Sequence, residues 1–245
     1  MNNKSNNILS LVFLAVAGVL VIPFIASCGK GGNALPVGSN IQMQVVNLST
    51  DILPVDLYIK FIKTNATPYS YPNPSGYFSL PSIDTPFQIR SALPTLASVN
   101  IISLDTLLKN NVKYTIYVVG FKSAKTPDTK IDYIFTADTS ASPTTGGRGK
   151  VRFINATAGT DAFNITANGT TVFTDQAYKK VSKFVEMPAG NYDFKLYSAS
   201  SATTVLSDLP GVTVQDGKLY TLYCRGIVGR TDTAAFGMAV INNKP

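Results

Sequence analysis

The stretch that decides the fold is Tyr114-Thr115-Ile116-Tyr117-Val118-Val119-Gly120, which returns roughly 106 residues later as Tyr220-Thr221-Leu222-Tyr223-Cys224-Arg225-Gly226. β-Branched and aromatic residues of this kind are typical of strands. Successive side chains point to opposite faces of a strand. Every second residue from Tyr114 therefore lies on the core face, and Thr115 and Tyr117 lie on the other. The stretch predicts one strand that is present twice.

Two further blocks recur in the same order, at offsets of roughly 107 to 108 residues. Val46-Asn47-Leu48-Ser49-Thr50 matches Ile154-Asn155-Ala156-Thr157-Ala158, and Phe87-Gln88-Ile89-Arg90-Ser91 matches Phe194-Lys195-Leu196-Tyr197-Ser198. Three blocks in register predict an internal duplication. Turn signals between short strands favour a sandwich over a parallel sheet with helices.

We predict an all-β fold with two tandem immunoglobulin-like or transthyretin-like β-sandwich domains after a signal peptide and a flexible tether. The predicted parts are the lipoprotein signal peptide at 1–27, the tether at 28–40, the first sandwich repeat at 41–139, a linker at 140–149 and the second repeat at 150–245. The tether is rich in Gly, and the linker has no apolar residue that could anchor a core. The repeats are called the first copy and the second copy below.

Smaller signals refine the second copy. Asn168-Gly169 predicts a two-residue hairpin, and Ala189-Gly190-Asn191 predicts another between its two neighbouring strands. Cys224 stands where the first copy has Val118. We therefore expect a small buried hydrophobe there rather than a reactive thiol.

The first thirty residues predict export. An apolar run over residues 8–25 is followed by small residues and Cys28, which is the pattern of a signal peptide. The alternative is a transmembrane helix, since the run is near the lower length limit for spanning. Pro23 and the small residues argue against that alternative. Ile25-Ala26-Ser27-Cys28 resembles a bacterial lipobox, so we expect a lipid on Cys28 that anchors the chain to a membrane.

The expected location is the cell envelope, in the outer membrane. In some Bacteroidetes-type lipoproteins, acidic residues just after the cysteine direct export to the outer face. Here no acid precedes Asp51. The periplasmic and the surface orientation therefore both stay open.

Composition argues against several functions. The formal charge is +7, but the cations are scattered, so we expect no nucleic-acid partner. The chain has no histidine, which removes the commonest general base and the commonest metal ligand. Glu186 is the single glutamate. We expect no catalytic residue, no metal site and no cofactor.

Two kinds of candidate site remain. An insert of the first copy, residues 64–75, is rich in Tyr and Pro. Tyr69 and Tyr71 of this insert and the following Tyr77 form a candidate binding loop. The alternative is an ordered insert that covers a sheet edge. Thr106 and Thr233 each follow an aspartate in a short motif that looks like the O-glycosylation signal of Bacteroidetes.

The quoted blocks resemble a bacterial family of domains of unknown function, DUF4397. The second copy supplies the family's opening strand in residues 151–156, its Pro188-Ala189-Gly190 turn and its Tyr220-Thr221-Leu222 strand, which ends at Gly226. The first copy lacks the Ala-Gly after its proline. The resemblance implies a β-sandwich of exported, often lipid-anchored proteins, and it implies no reaction. Its motifs look structural, because Asn47 and Asn155 end a strand where an amide can bond nearby backbone.

Three functional hypotheses follow. The first is a non-catalytic, lipid-anchored cell-envelope protein that acts as a binding or adhesion module for a glycan or a protein partner. The alternative is a structural or pilus-like envelope component, since pilins of this bacterial group are also lipoproteins with two β-sandwiches. The third and least favoured is an enzyme that acts on envelope sugars.

Overall fold

The computed structural model describes residues 41–80, 85–92, 99–138 and 140–243. The predicted all-β fold is confirmed, because these residues form sixteen strands, one short 3₁₀ turn at Pro127–Thr129 and no α-helix. The strands of the first copy are β1 Ile41–Asn47, β2 Val55–Ile59, β3 Ile62–Lys63, β4 Phe78–Leu80, β5 Phe87–Ser91, β6 Asn100–Leu104, β7 Lys113–Val119 and β8 Asp132–Ala137. Those of the second copy are β9 Arg148–Asn155, β10 Phe163–Ala167, β11 Thr170–Gln176, β12 Val185–Pro188, β13 Gly190–Ser198, β14 Ser201–Val214, β15 Leu219–Arg225 and β16 Gly237–Asn242.

Each copy is a sandwich of two four-stranded sheets. The sheets of the first copy have the orders β4-β1-β7-β8 and β3-β2-β5-β6, and those of the second have the orders β12-β9-β15-β16 and β11-β10-β13-β14. We call the sheets that contain β1 and β9 the inner sheets and the other two the outer sheets. In each inner sheet the first and third strands in chain order pair in parallel, β1 with β7 and β9 with β15. The two copies therefore share one topology.

A separate apolar core fills each sandwich. Leu57, Ile89 and Ile116 are fully buried in the first, and Phe194 and Leu222 are fully buried in the second. These residues lie at alternate positions along their strands, so burial follows the two-residue period of the sequence. Burial of such side chains is the main force that holds each sandwich together.

The two inner sheets pack face to face, so the described residues form four β-layers. A third apolar cluster forms between them and includes Val46, Ile154 and the rings of Tyr117 and Tyr223, whose centroids are 6.0 Å apart. Thr115 and Tyr117, which were predicted to point away from the core, are completely buried. The second copy covers that face, so it is a second interior rather than a solvated surface.

An approximate two-fold relation links the copies. By strand register, Tyr117 and Asp138 of the first copy occupy the same positions as Tyr223 and Asn243 of the second. The rings of Tyr117 and Tyr223 are in contact, and the Asn243 amide donates a 3.2 Å hydrogen bond to Asp138. Loops of both copies that follow β1, β7, β9 and β15 line one cleft, so the axis runs along the strands. We call this end of the molecule the loop end, and the opposite end, where Ile41 begins β1, the entry end.

A buried polar network crosses the interface near the entry end. The Arg152 guanidinium of the second copy forms an ion pair with Asp138 of the first, and both side chains are at most 5% exposed. Arg152 also donates to Thr221 Oγ1 at 2.8 Å and to Thr136 Oγ1 at 3.2 Å. Asp138 accepts a further bond of 2.6 Å from the Tyr77 hydroxyl. The ion pair is thus surrounded by hydrogen bonds, which buried charges require.

Two expected turns have different outcomes. Asn168-Gly169 is confirmed as a two-residue hairpin between β10 and β11, and both residues have positive φ. The hairpin predicted at Ala189-Gly190-Asn191 is wrong, because β12 belongs to the inner sheet and β13 to the outer sheet. Ala189 carries the chain from one sheet to the other. The second copy's first strand begins at Arg148, near the end of the segment predicted as a linker.

We expect the buried ion pair to be sensitive to loss of one partner. Arg152→Met leaves the Asp138 carboxylate buried without its cation, which should lower the free energy of unfolding by about 3 kcal/mol in urea denaturation. The control is Lys195→Met, which removes an exposed partner of Asp208 and should cost less than about 1 kcal/mol. Equal losses in the two variants would contradict this account of the interface.

The β2–β3 hairpin of the first copy has an unfavourable turn. Its two turn residues are Lys60 and Phe61, with φ of 48° and 67°. They occupy the positions that Asn168 and Gly169 hold in the second copy. Left-handed backbone is costly for side chains such as these, whereas Asn-Gly is the preferred pair for this turn.

The double variant Lys60→Asn/Phe61→Gly should therefore raise the free energy of unfolding by about 1 to 2 kcal/mol. The reciprocal exchange, Asn168→Lys/Gly169→Phe, should lower it by a similar amount. Both are measured by chemical denaturation. A first-copy exchange that destabilises the protein would show that the Lys-Phe turn is held by favourable packing.

Candidate functional site

The three tyrosines of the candidate binding loop are half-buried rather than exposed at a loop tip. The Tyr69 backbone forms two hydrogen bonds with Val55, and its ring stacks on Phe78 with centroids 6.2 Å apart. The Tyr71 hydroxyl is buried with no hydrogen-bond partner among the described residues. Tyr77 bonds to Asp138 inside the interface network. The bridges of Tyr69 with Val55 and of Pro74 with Val46 place the insert along the edges of β2 and β1, which agrees with the alternative of an ordered insert that covers a sheet edge.

Burial raises the pKa of two of these phenols. The pKa of Tyr69 rises to about 12, chiefly through desolvation and secondarily through the charge of Asp56. The pKa of Tyr77 rises further, through desolvation first and then the Asp138 carboxylate. Both rings stay neutral at physiological pH and act as hydrogen-bonding and packing groups.

The other predicted site residues lie apart. Thr106 is half-buried just after β6, and Thr233 is exposed at the loop end. Cys28 lies outside the described residues. Cys224 is completely buried in the core of the second copy, as predicted. Desolvation raises the pKa of its thiol to about 11, so the thiol stays protonated and unreactive at neutral pH.

The strand-ending residues of the repeat prove to be structural. The Asn47 and Asn155 carboxamide oxygens accept from the backbone N–H groups of Ser49 and Thr157, at 3.2 and 3.0 Å. This confirms the predicted role of both amides in a turn.

Two glycines at the loop end meet a steric limit. A Cβ on Gly120 or on Gly226 would come within 2.2 Å of a backbone carbonyl oxygen, and both residues have a φ of +84°. Only glycine fits both conditions. The two residues bring the connections that follow β7 and β15 tightly against the ends of these strands.

A carboxylate clamp organises the loop end of the first copy. The Asp51 oxygens accept from the backbone N–H groups of Lys122 and Ser123, at 2.7 and 2.8 Å, and from the Ser123 hydroxyl at 2.6 Å. Burial raises the pKa of Asp51, but these hydrogen bonds, led by the Ser123 hydroxyl, lower it below the ordinary value. The clamp ties the loop after β1 to the loop after β7.

An apolar cleft of about 260 Å³ opens on one side of the clamp. It is lined by residues of three loops and of strands β5 and β6 in the first copy, namely Ile52, Leu53, Ser91, Val99, Ile101, Lys122 and Ile131. Leu53 is 51% exposed and Val99 is 60% exposed. An apolar concavity of this kind suits one side chain or another compact apolar group of a partner.

A more polar cleft of about 400 Å³ opens on the other side of the clamp, between the two copies. The first copy contributes Asp51, Phe121 and Ser123, and the second contributes Arg230 and Asp232 among others. Hydrogen bonds from Arg230 lower the pKa of the exposed Asp232 carboxyl. The cleft offers charged groups and hydroxyls beside one aromatic ring, which is a surface for hydrogen-bonding ligands.

The second copy has different residues at the positions that form the clamp and line the apolar cleft of the first copy. Gly159 stands where the first copy has Asp51, so no carboxylate is present. Phe163 and Phe236 replace Val55 and Ile131, and their rings pack with centroids 5.5 Å apart. Larger side chains thus take up space that the first copy leaves open.

The described residues hold no group of three or more Cys, Asp or Glu side chains that could bind a metal ion. Within the same residues, no helix has the length and apolar character needed to cross a membrane.

The fold defines the class as a tandem β-sandwich protein. The family model described as a domain of unknown function, DUF4397, matches the chain twice, over residues 41–158 and 149–244. The chain belongs to that family and carries two copies of its domain. No curated protein matches the chain.

The clamp leads to a prediction on stability and pH. Asp51→Ala removes the acceptor for four hydrogen bonds, from Ser49, Lys122 and twice from Ser123, and should lower the melting temperature by about 3 °C at pH 7. The folded pKa of Asp51 lies below its unfolded value, so the stabilisation is present above the unfolded pKa of about 3.9 and is lost as pH falls through the folded pKa. The difference in melting temperature should persist from pH 7 to about pH 4 and close below that.

Asp161→Ala is the control for that series, because Asp161 is exposed on the equivalent loop of the second copy. It should leave the melting temperature unchanged at every pH. A melting curve of Asp51→Ala identical to that of the wild type at pH 7 would refute the clamp.

Proposed function

We propose that this protein is a non-catalytic, lipid-anchored component of the cell envelope that binds a glycan or a protein partner at its loop end. The observation that carries the proposal is the pair of clefts on either side of the Asp51 clamp, one apolar and one polar. Neighbouring apolar and hydrogen-bonding surfaces are the usual composition of a recognition site.

Comparison of the two copies supports this assignment. The fold accepts Phe236 and Gly159 in the second copy, so it does not require Ile131 or Asp51 at the matching positions. Exposed Leu53 and Val99 are unfavourable in water, and burial under a partner would relieve that. The apolar cleft, which the first copy forms alone, is therefore the proposed centre of the binding site.

The anchoring part of the proposal rests on the sequence. The apolar run and the lipobox-like Ile25-Ala26-Ser27-Cys28 motivate acylation of Cys28. Several acyl chains, at roughly 0.8 kcal/mol per buried methylene, would hold the protein firmly in a membrane. The outer membrane is the proposed site, with the periplasmic and the surface face as the two orientations to be compared.

Ile131→Phe tests the site with a residue that the fold already accepts at the matching position. The phenyl ring should fill the apolar cleft and weaken partner binding by about tenfold or more, with little change in stability. Phe236→Ile is the matched control, because it alters the equivalent position of the second copy. It should leave binding unchanged.

The measurement is photo-crosslinking in living cells from a benzoylphenylalanine at position 53, with position 161 as its counterpart in the second copy. We expect discrete adducts from position 53 that Ile131→Phe removes. Protease or glycosidase digestion of the adduct then distinguishes a protein from a glycan. The same adducts from both positions, or adducts that survive Ile131→Phe, would refute the site.

A further inference from the structure

The hairpin tip of the first copy, residues 60–63, exposes apolar side chains in a cationic setting. Phe61 is 64% exposed and Ile62 is 70% exposed. Lys60 and Lys63 flank them, and Lys63 forms an ion pair of 2.8 Å with Asp56. The tip therefore combines an aromatic and an aliphatic apex with basic neighbours.

The second copy shows that the fold does not need this tip. Its matching residues are Asn168, Gly169, Thr170 and Thr171, which are all exposed and carry no large apolar group. Folding alone favours Asn-Gly at the turn, yet the first copy holds Lys60 and Phe61 there at positive φ. Strained turns with exposed apolar residues are typical of sites that meet another surface.

Arg90 adds to the basic character of the tip. Its guanidinium carbon lies 4.3 Å from the centroid of the Tyr58 ring and 6.0 Å from that of Phe61. The Gln88 side-chain oxygen fixes it with hydrogen bonds of 3.1 and 2.6 Å. Basic side chains around an apolar apex match the charge of anionic lipid headgroups, into which apolar residues can then insert.

Strand order places the tip at the entry end. β1 runs from Ile41 towards the loop end, and β2 returns in the opposite sheet. Ile41 faces Leu80 in the inner sheet, and Ile59, just before the tip, faces Phe87 in the outer sheet. Cys28 precedes Ile41 by thirteen residues, which can span at most about 45 Å. The tip thus lies at the end of the sandwich that the anchored chain enters.

We propose that the hairpin tip inserts Phe61 and Ile62 into the headgroup region of an anionic bilayer and seats the first copy against the membrane. This rests on the proposed lipid anchor at Cys28. The position at the entry end favours a lipid surface over a protein partner. The loop end, with its two clefts, then points away from the bilayer.

The sequence makes a direct test possible, because the chain contains no tryptophan. Ile62→Trp places a single fluorophore at the tip, and Thr170→Trp places one at the matching exposed position of the second copy. Each full chain is purified from its own membrane and reconstituted into phosphatidylglycerol vesicles. Circular dichroism melting confirms that both variants fold, and Phe61→Trp serves as a second tip probe.

Tip insertion predicts a blue-shifted emission for tryptophan at positions 61 and 62, with quenching by brominated lipid about twofold or more stronger than at position 170. Neutral phosphatidylcholine vesicles should weaken the difference. Equal quenching at the three positions would overturn the proposal and leave a protein partner as the explanation of the apolar tip. Mass spectrometry of the N-terminal peptide reports acylation of Cys28 separately, so failure of the anchor and failure of the tip give different results.

Discussion

The ion pair between Arg152 and Asp138 is the constraint on which the four-layered arrangement depends. Each copy contributes one charge, and each charge would be buried alone if the copies separated incompletely or packed in another register. The matching positions hold neutral residues, Gln44 in the first copy and Asn243 in the second. The matched positions on the two sides of the pseudo-two-fold axis therefore carry different charges.

That asymmetry gives the interface its specificity. Two first copies from different molecules would bring two Asp138 carboxylates together with no arginine, and two second copies would bring two Arg152 side chains with no carboxylate. Both alternatives leave uncompensated buried charge, which costs several kcal/mol. The polar network therefore favours pairing of the first copy with the second.

The sequence predicted each sandwich well and their assembly poorly, for one physical reason. A two-residue period reveals which face of a strand is apolar, and together with the repeat it correctly placed Cys224 in a core. The Asn-Gly turn signal correctly placed the hairpin at Asn168-Gly169. The period cannot tell whether the opposite face meets water or another sheet, because hydroxyl and phenol groups are suited to both. The alternation therefore placed Thr115 and Tyr117 on the face opposite the core without showing that this face is the interface.

The clefts and the hairpin tip escaped prediction because their signal lies in differences between the copies. The repeat blocks were found by what the copies share, and shared residues such as Asn47 with Asn155 or Gly120 with Gly226 maintain the fold. Where the copies differ, the second keeps the residue that the local geometry prefers. It has the Asn-Gly turn, and it has the packed rings of Phe163 and Phe236.

The first copy departs from that preference at both of its ends, with an apolar cleft at one end and an apolar tip at the other. A duplicated domain can tolerate such departures because the copy without them continues to stabilise the shared interface. Unfavourable residues on the first copy alone are thus better explained by contacts outside the chain than by the needs of folding. In a protein held at its entry end and free at its loop end, the apolar tip would contact the membrane and the apolar cleft would face a partner.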